Sequence, residues 1–206
     1  MKSIIFDWSG VVKDTVTAQL WIVNRIFKKY DVAPITLEEF RENWRQPYIE
    51  FYKKYLKDKF IEEDRAQAYK EAVLHKDCPK TTLFPEMVEL IRKCKSKGYF
   101  LAVVSSDLSD TLLPEIKDFK LENTFDEVVV DVDNKMEAVK KIISEHNLDL
   151  LSTFFVGDSN HEIEVSKEVG INSIAVTWGF VSESKLRTHN PTFVVGDVEG
   201  LEKILL

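Results

Sequence analysis

Cysteine is scarce in this chain: Cys78 and Cys94 are the two in 206 residues. That number excludes a disulfide framework, and neither residue stands in the C-x-x-C spacing that binds metal or does redox chemistry. Cys94 falls on the apolar side of an expected helix, so a buried thiol is expected there. Positive charge is in deficit. Lys and Arg total 28 against 35 Asp and Glu, a net charge of −7, which discourages non-specific binding to nucleic acid, and no basic run offsets it. Long apolar runs are missing too, since none approaches the roughly 20 residues of a membrane span. The first apolar stretch ends at Asp7, so no secretory leader is expected and the cytoplasm is the expected compartment. No internal repeat or low-complexity segment interrupts the chain. The remaining composition is ordinary, 44% apolar and 31% charged. It suits a folded chain with one well-filled core, with or without an insertion, and excludes a mainly disordered one.

Short apolar runs bounded by polar residues read as buried strands. They are SIIF at 3–6, YFLAVV at 99–104, EVVVDV at 127–132, TFFVG at 153–157, NSIAV at 172–176 and TFVVG at 192–196. Helical patterns fall between most of them. Met87, Leu90, Ile91 and Cys94 recur at helical spacing, with Gly98 after Lys97 as the stop. Asn134 and Glu137 read as an N-cap and its N3 partner, opening a helix that carries Val139, Ile142 and Ile143. This alternation predicts an α/β fold, a parallel sheet with helices on both faces, which binds ligands beyond the carboxyl ends of its strands.

Residues 15–83 break the alternation. Val16, Leu20, Val23, Phe27 and Tyr30 make one helical stripe. Thr36 with Glu39 forms a capping-box pattern ahead of Leu37, Phe40 and Trp44. Phe51, Tyr52, Tyr55 and Leu56 suggest a third helix, and Tyr69 and Val73 a fourth. The expected division is therefore a core of residues 1–14 and 84–206 with an inserted α-helical unit, a small bundle, at 15–83.

Four strand ends deliver polar residues to one edge of the expected sheet. Strand one ends in FDWSGVVKDT, with Asp7, Ser9, Gly10 and Asp14. Strand two ends in VVSSD, with Ser105 and Ser106; a later loop, DVDNKMEAV, carries Lys135; and FFVGDSNHEIE carries Asp158 and Glu162. Lys135 follows an N-cap, where the helix dipole disfavours a cation, so a nearby anion is expected. His161 is expected to face solvent.

This order and spacing resembles the haloacid dehalogenase-like superfamily, which reads D-x-D-G-T, then Ser or Thr, then Lys, then G-D-x-x-x-D. The resemblance runs over essentially the whole chain. LFPEMVELIRKCKSKGYFLAVVSS and VTWGF look most like the phosphoglycolate phosphatase-like branch, whose helical cap matches 15–83 in place and length. It implies a Rossmann-like core with a cap, a Mg2+ cofactor and a small phosphorylated metabolite as substrate, in a monomer or homodimer. By the same resemblance Asp7 is the nucleophile that becomes an aspartyl-phosphate. Asp7, Asp158 and the main-chain carbonyl of Ser9 hold the metal, a hard cation suited to oxygen ligands. Glu162 binds a metal-bound water or orients Lys135. Ser105, Ser106 and Lys135 hold the transferring phosphoryl oxygens, since phosphoryl transfer relies on positioning and charge stabilisation. Gly10 lets the backbone approach the phosphate. Arg45, with Trp44 and Tyr48, occupies a cap loop placed where it could meet substrate, although an exposed Arg is more often a solvated surface residue.

The chain departs from the pattern at two positions. Ser9 stands where these phosphatases have the aspartate that protonates the leaving alkoxide and then activates water. A serine hydroxyl with no base partner does neither near pH 7, and losing a general acid–base costs about 100- to 10,000-fold. Val11 replaces the usual Thr. Phosphonoacetaldehyde hydrolases read D-W-A-G-T-T, close to D-W-S-G-V-V, but need a cap lysine that the matching segment NWRQPYIEF lacks. Haloacid dehalogenases also lack the second Asp, yet their other motif residues are not found. The expected function is thus a Mg2+-dependent phosphatase, slowed by Ser9. A phosphonatase- or dehalogenase-type hydrolase and a non-catalytic binder of a phosphorylated ligand stand as alternatives. Pro114 is expected to kink or break a helix.

Overall fold

A computed structural model describes residues 2–132 and 134–206. The chain runs β1 (Ser3–Phe6), β2 (Lys13–Asp14), α1 (Val16–Lys29), α2 (Leu37–Asn43), α3 (Tyr48–Leu56), α4 (Glu62–Val73) and β3 (Thr82–Leu83). It continues through α5 (Pro85–Ser96), β4 (Phe100–Val104), α6 (Ser109–Asp118), β5 (Glu127–Val129), α7 (Lys135–Glu145) and β6 (Thr153–Gly157). It closes with α8 (Asn160–Val169), β7 (Asn172–Val176), α9 (Glu183–Thr188), β8 (Phe193–Val195) and α10 (Val198–Leu205). Six strands form one sheet in the order β5-β4-β1-β6-β7-β8, every pair parallel. The short β2 and β3 pair antiparallel where the chain leaves for α1–α4 and returns.

Alternation along β1 sorts side chains onto the two faces of the sheet. Ile4, Phe6 and Trp8 enter a core shared with α5 residues Met87, Leu90, Ile91 and Cys94. Ile5 enters the opposite core, with Val139 and Ile142 of α7 and Val165 of α8. A third cluster fills the inserted helices with Phe27, Phe40, Trp44, Phe51 and Tyr52, and it reaches Ile163, Leu186 and Phe180 of the sheet unit. Each such side chain, fully buried, contributes about 1.5–3 kcal/mol relative to exposure.

The expected α/β architecture with inserted helices is the one observed. Strands 3–6, 153–157 and 172–176 form where the sequence placed them. β5 stops early, because Asp131 turns out of the strand at φ +55 and its amide bonds the carbonyl of Asp107. Gly98, at φ +77, follows the end of α5, and Cys94 is buried.

Some local expectations are corrected. Pro114 lies inside α6 without breaking it. Thr36 caps α2 through the Glu39 amide at 3.1 Å, but the Glu39 carboxylate accepts from the Tyr55 hydroxyl at 3.1 Å instead of returning to the cap. Asn134 caps α7 through the amide of Met136 at 3.0 Å, one residue short of Glu137. On α4 the buried positions are Arg65, Ala68 and Ala72, while Val73 is exposed.

Candidate active site

The register of the sheet places the first residues of the site. Phe6 of β1 is level with Val103 of β4 and Val156 of β6. One step on, Asp7 is level with Val104 and Gly157, so Ser105 and Asp158 each lie one residue beyond it on the two flanking strands. Asp7 is held there by its own amide, which bonds the carbonyl of Val156 at 2.9 Å. Its Oδ1 accepts the Trp8 amide at 2.8 Å.

Lys135, the first residue of α7, is buried and places its Nζ 2.9 Å from Asp7 Oδ1 and 2.7 Å from Glu162 Oε1. These carboxylates are the anions that a lysine at a helix N-terminus calls for. Glu162 is also the third helical residue of α8 and closes a capping box with Ser159. Its Oε2 accepts the Ser159 amide at 3.1 Å and hydroxyl at 2.6 Å. Both Glu162 oxygens are thus engaged, one by Lys135 and the other by Ser159.

Asp158 sits in a backbone cradle. Its Oδ2 accepts the Phe180 amide at 2.7 Å, and a Cβ added to Gly10 or Gly179 would fall 2.1 or 2.0 Å from that same oxygen. Gly10, at φ +81, thus makes room for a carboxylate and adopts a backbone that side-chain-bearing residues avoid. The Phe180 ring lies 6.0 Å from Phe40 and 5.6 Å from Trp44, so the residue that holds Asp158 is also packed against the inserted helices.

Oxygens of Asp7, Asp158 and Glu162 all lie within 4.8 Å of one another, and all three residues are buried. One lysine cannot neutralise three carboxylates. Burial raises Asp7 to about 7, against the pull of Lys135 and with repulsion from Glu162. Asp158 is pushed well above the ordinary carboxylate range by burial, then by repulsion from Asp7 and Glu162. Burial also works to raise Glu162, but the Lys135 ammonium and the Ser159 donor bring it down to about 2. Lys135 is held above its ordinary value because Asp7 and Glu162 outweigh the effect of burial. An excess of buried negative charge with oxygen-only donors fits a hard divalent cation. Asp7, Asp158 and Glu162 are the residues that could hold such an ion.

Ser9 has a partner that corrects the sequence expectation. Its hydroxyl donates to Asp107 Oδ2 at 2.6 Å. Asp107 is half-buried, and its amide bonds Ser105 Oγ at 3.1 Å. Burial raises its carboxyl above the usual range, with Ser9, Lys13 and Lys135 opposing. Behind it, buried Lys13 pairs with Glu115, whose other oxygen accepts Trp8 Nε1 at 2.9 Å. Sequence reading missed Asp107 although it ends the quoted VVSSD; its partner lies far away in the chain. Lys13 and Glu115 carry no signal beyond their charge.

The remaining expected residues are placed less centrally. Ser105 is buried at the carboxyl end of β4, while Ser106 is exposed. Arg45 is exposed on the loop between α2 and α3, and His161 is half-exposed. Trp44 belongs to the core of the inserted helices, and Tyr48 lies over the Arg65 guanidinium at 4.7 Å. The loop carrying Arg45 docks beside α8 through Gln46, whose amide bonds Asn160 Oδ1 at 3.3 Å.

Residues 4–176 match the family model for haloacid dehalogenase-like hydrolases. The chain is similar to a phosphoglycolate phosphatase of Aquifex aeolicus, 27% identical over 216 residues that cover 100% of this chain and 97% of that one. It is 23% identical to pyrophosphatase PpaX of Halalkalibacterium halodurans over 210 residues, covering 100% of this chain and 97% of the relative. Its fold superposes on a haloacid dehalogenase-like hydrolase from Streptococcus pneumoniae with a TM-score of 0.80 at 20% identity, covering 100% and 99% of the two chains.

Proposed function

Because this chain belongs to the haloacid dehalogenase-like hydrolase family, we propose that it is a Mg2+-dependent phosphatase acting on a small phosphorylated metabolite, with Asp7 as the nucleophile. The observation that carries this reading is the convergence of Asp7, Lys135, Glu162 and Asp158, drawn from two strand ends and the first turns of two helices into one buried cluster. Bound Mg2+, held by Asp7 and Asp158, would neutralise phosphoryl charge at this edge of the sheet.

The roles of the chain's own groups follow from their positions. Asp7 directs one oxygen at phosphorus while Lys135, fixed between two carboxylates, steadies that side chain and offers charge to the equatorial phosphoryl oxygens. Ser105 supplies a hydroxyl from the neighbouring strand end. Glu162 keeps the ammonium in place, and Phe180 keeps Asp158 turned inward. Residues 15–83 act as a cap that covers this edge and selects the substrate, with Arg45 and Tyr48 on the loop and helix start nearest the docked segment. Likeness to a phosphoglycolate phosphatase and to a pyrophosphatase supports small, highly charged phosphorylated compounds as the substrate class, and we place the chain in the phosphoglycolate phosphatase-like branch.

Turnover of an aryl phosphate with Mg2+, followed for the wild type and Asp7→Asn, tests this. Loss of all turnover in the variant is expected. Unchanged turnover would remove Asp7 from the reaction. A panel of phosphorylated metabolites assayed with and without Mg2+ then assigns the substrate.

A further inference from the structure

Arg65 of α4 is a buried arginine, 7% exposed, within the inserted helices. Tyr48, Tyr52 and Tyr69 surround its guanidinium, with ring centres at 4.7, 5.2 and 6.0 Å. Its Nη2 donates to Glu62 Oε1, three residues earlier on the same helix. That partner is loosely held. The Glu62 side chain is 36% exposed against 8% for Arg65, and a pair of neighbouring turns at such a surface contributes little. Three atoms of the cluster, Arg65 Nε, Tyr52 Oη and Glu62 Oε2, are buried with no hydrogen-bond partner among the described residues. Buried donors without partners destabilise a fold, so two of them in one cluster mark a place built for an acceptor. The cluster is bracketed by the two ends of the candidate active site. Tyr48 follows Gln46 by two residues, and the Gln46 amide bonds Asn160, two residues past Asp158. On the other side, the Tyr69 hydroxyl donates to Gln19 Oε1 of α1 at 3.5 Å. Burial raises that hydroxyl and the Asp107 charge raises it further, so Tyr69 faces the end of β4. Tyr48 is exposed and Tyr69 half-buried, so the rim of the cluster is open although its donors are covered.

We propose that Arg65 and the Tyr52 hydroxyl receive a second acidic group of the substrate, carried by its leaving group, in exchange for Glu62, a reading that rests on phosphoryl transfer to Asp7. A carboxylate or a phosphate takes two N–H groups of a guanidinium at once, and Arg65 offers Nε with Nη2. Glu62, the first residue of α4, then turns to solvent. Without substrate, its carboxylate stands where the acid of the substrate binds. Burial, against the pull of Arg65, raises the Tyr52 hydroxyl, so it stays a donor.

The test measures kcat/KM with Mg2+ on phosphoglycolate, on pyrophosphate and on ethyl phosphate, which carries no second acid. Wild type, Arg65→Gln, Tyr52→Phe and Glu62→Gln are compared, and thermal melting reports folding. The quantity read is the ratio of each acid-bearing substrate to ethyl phosphate, so intrinsic reactivity cancels between variants. Arg65→Gln lowers the ratio about 10- to 100-fold, as expected for hydrogen bonds to a charged group. Tyr52→Phe lowers it about 3- to 10-fold and melts no earlier than wild type, because the lost hydroxyl had no partner. Glu62→Gln raises the ratio about two- to fivefold, because it removes the competing carboxylate. A fall confined to phosphoglycolate assigns the group as a carboxylate, and one confined to pyrophosphate as a second phosphate.

Ratios within about twofold of wild type in both Arg65→Gln and Tyr52→Phe, with p-nitrophenyl phosphate still turned over, overturn the Arg65 site alone. Glu62→Gln lowering the ratio as Arg65→Gln does also overturns it, since a merely structural ion pair loses equally from either side. Should Arg65→Gln melt early, Tyr52→Phe carries the comparison, as it removes one hydroxyl that bonds nothing. Wild type turning over none of the four phosphates overturns the phosphatase reading and the Arg65 site with it.

Discussion

Lys135 stands at the first helical position of α7, where the helix field opposes a cation, and two buried carboxylates hold it there. Removing one partner of a buried ion pair leaves uncompensated charge and costs about 3–5 kcal/mol. Lys135→Met should therefore lower the denaturant stability of the metal-free protein by about that amount and reduce turnover at least about 100-fold. Stability equal to wild type would show that the ion pair does not form. Lys135 was legible in the sequence because its position contradicts a local rule, which pointed to an anion nearby. Asp107 was not legible, because nothing within its own segment requires a partner and Ser9 lies 98 residues away. Glu39 shows the same limit on a smaller scale: the Thr36 cap was readable, but the competing Tyr55 hydroxyl comes from another helix.

At the scale of elements, helix α6 accommodates Pro114 at an interior position, where it forgoes one helical hydrogen bond. Pro114→Ala should stabilise the protein by about 1–3 kcal/mol and raise the melting temperature by roughly 2–10 °C, leaving turnover unchanged. A lower melting temperature would mean that the ring makes packing contacts worth more than the missing bond. Strands were read well because buried parallel strands are short apolar runs with sharp polar ends, as in 153–157 and 172–176. The β2–β3 pair escaped notice, since two residues carry no period. On helix α4 the expected Tyr69 packs against the core of the inserted helices, while the expected Val73 faces out. Tyr48, Tyr52 and Tyr69 gather round the Arg65 guanidinium, which draws Arg65 inward with Ala68 and Ala72 and turns Val73 out. A buried arginine among tyrosines reverses the usual inside–outside rule, so apolar periodicity alone does not find Arg65.

For the whole molecule, the buried acids couple folding to pH and to metal. Asp7 rises from 3.8 to about 7 on burial, so between those values the folded chain holds a proton that the unfolded chain has released. Stability of the metal-free protein should therefore fall as pH climbs from about 5 to about 7, with Asp158 adding in the same direction. Glu162 acts oppositely, but its contribution is complete above its ordinary 4.5 and is lost only on acidification toward about 2, so it is constant across that window. Mg2+ at about a hundred times its dissociation constant should raise the melting temperature near pH 7 by roughly 5–10 °C and flatten the pH dependence. A pH-independent melting temperature that ignores Mg2+ would contradict the charge excess read from the site. Across the molecule, the sequence announced the sheet, the insertion and the convergence of Asp7, Lys135, Asp158 and Glu162. The docking of the inserted helices was not readable, since it depends on contacts such as Arg41 Nη2 to the Trp178 carbonyl at 2.8 Å, made across 137 residues of chain.

Phosphoryl transfer to one side chain is the claim on which the functional account stands. Intact and peptide mass of the protein quenched during turnover of p-nitrophenyl phosphate with Mg2+ measures it directly. The account predicts one added phosphoryl group, on the peptide that carries Asp7, and absent in Asp7→Asn. An unmodified Asp7 peptide, with Mg2+ and vanadate still raising the melting temperature of the intact protein, would contradict it and leave a binder of phosphorylated ligands in its place.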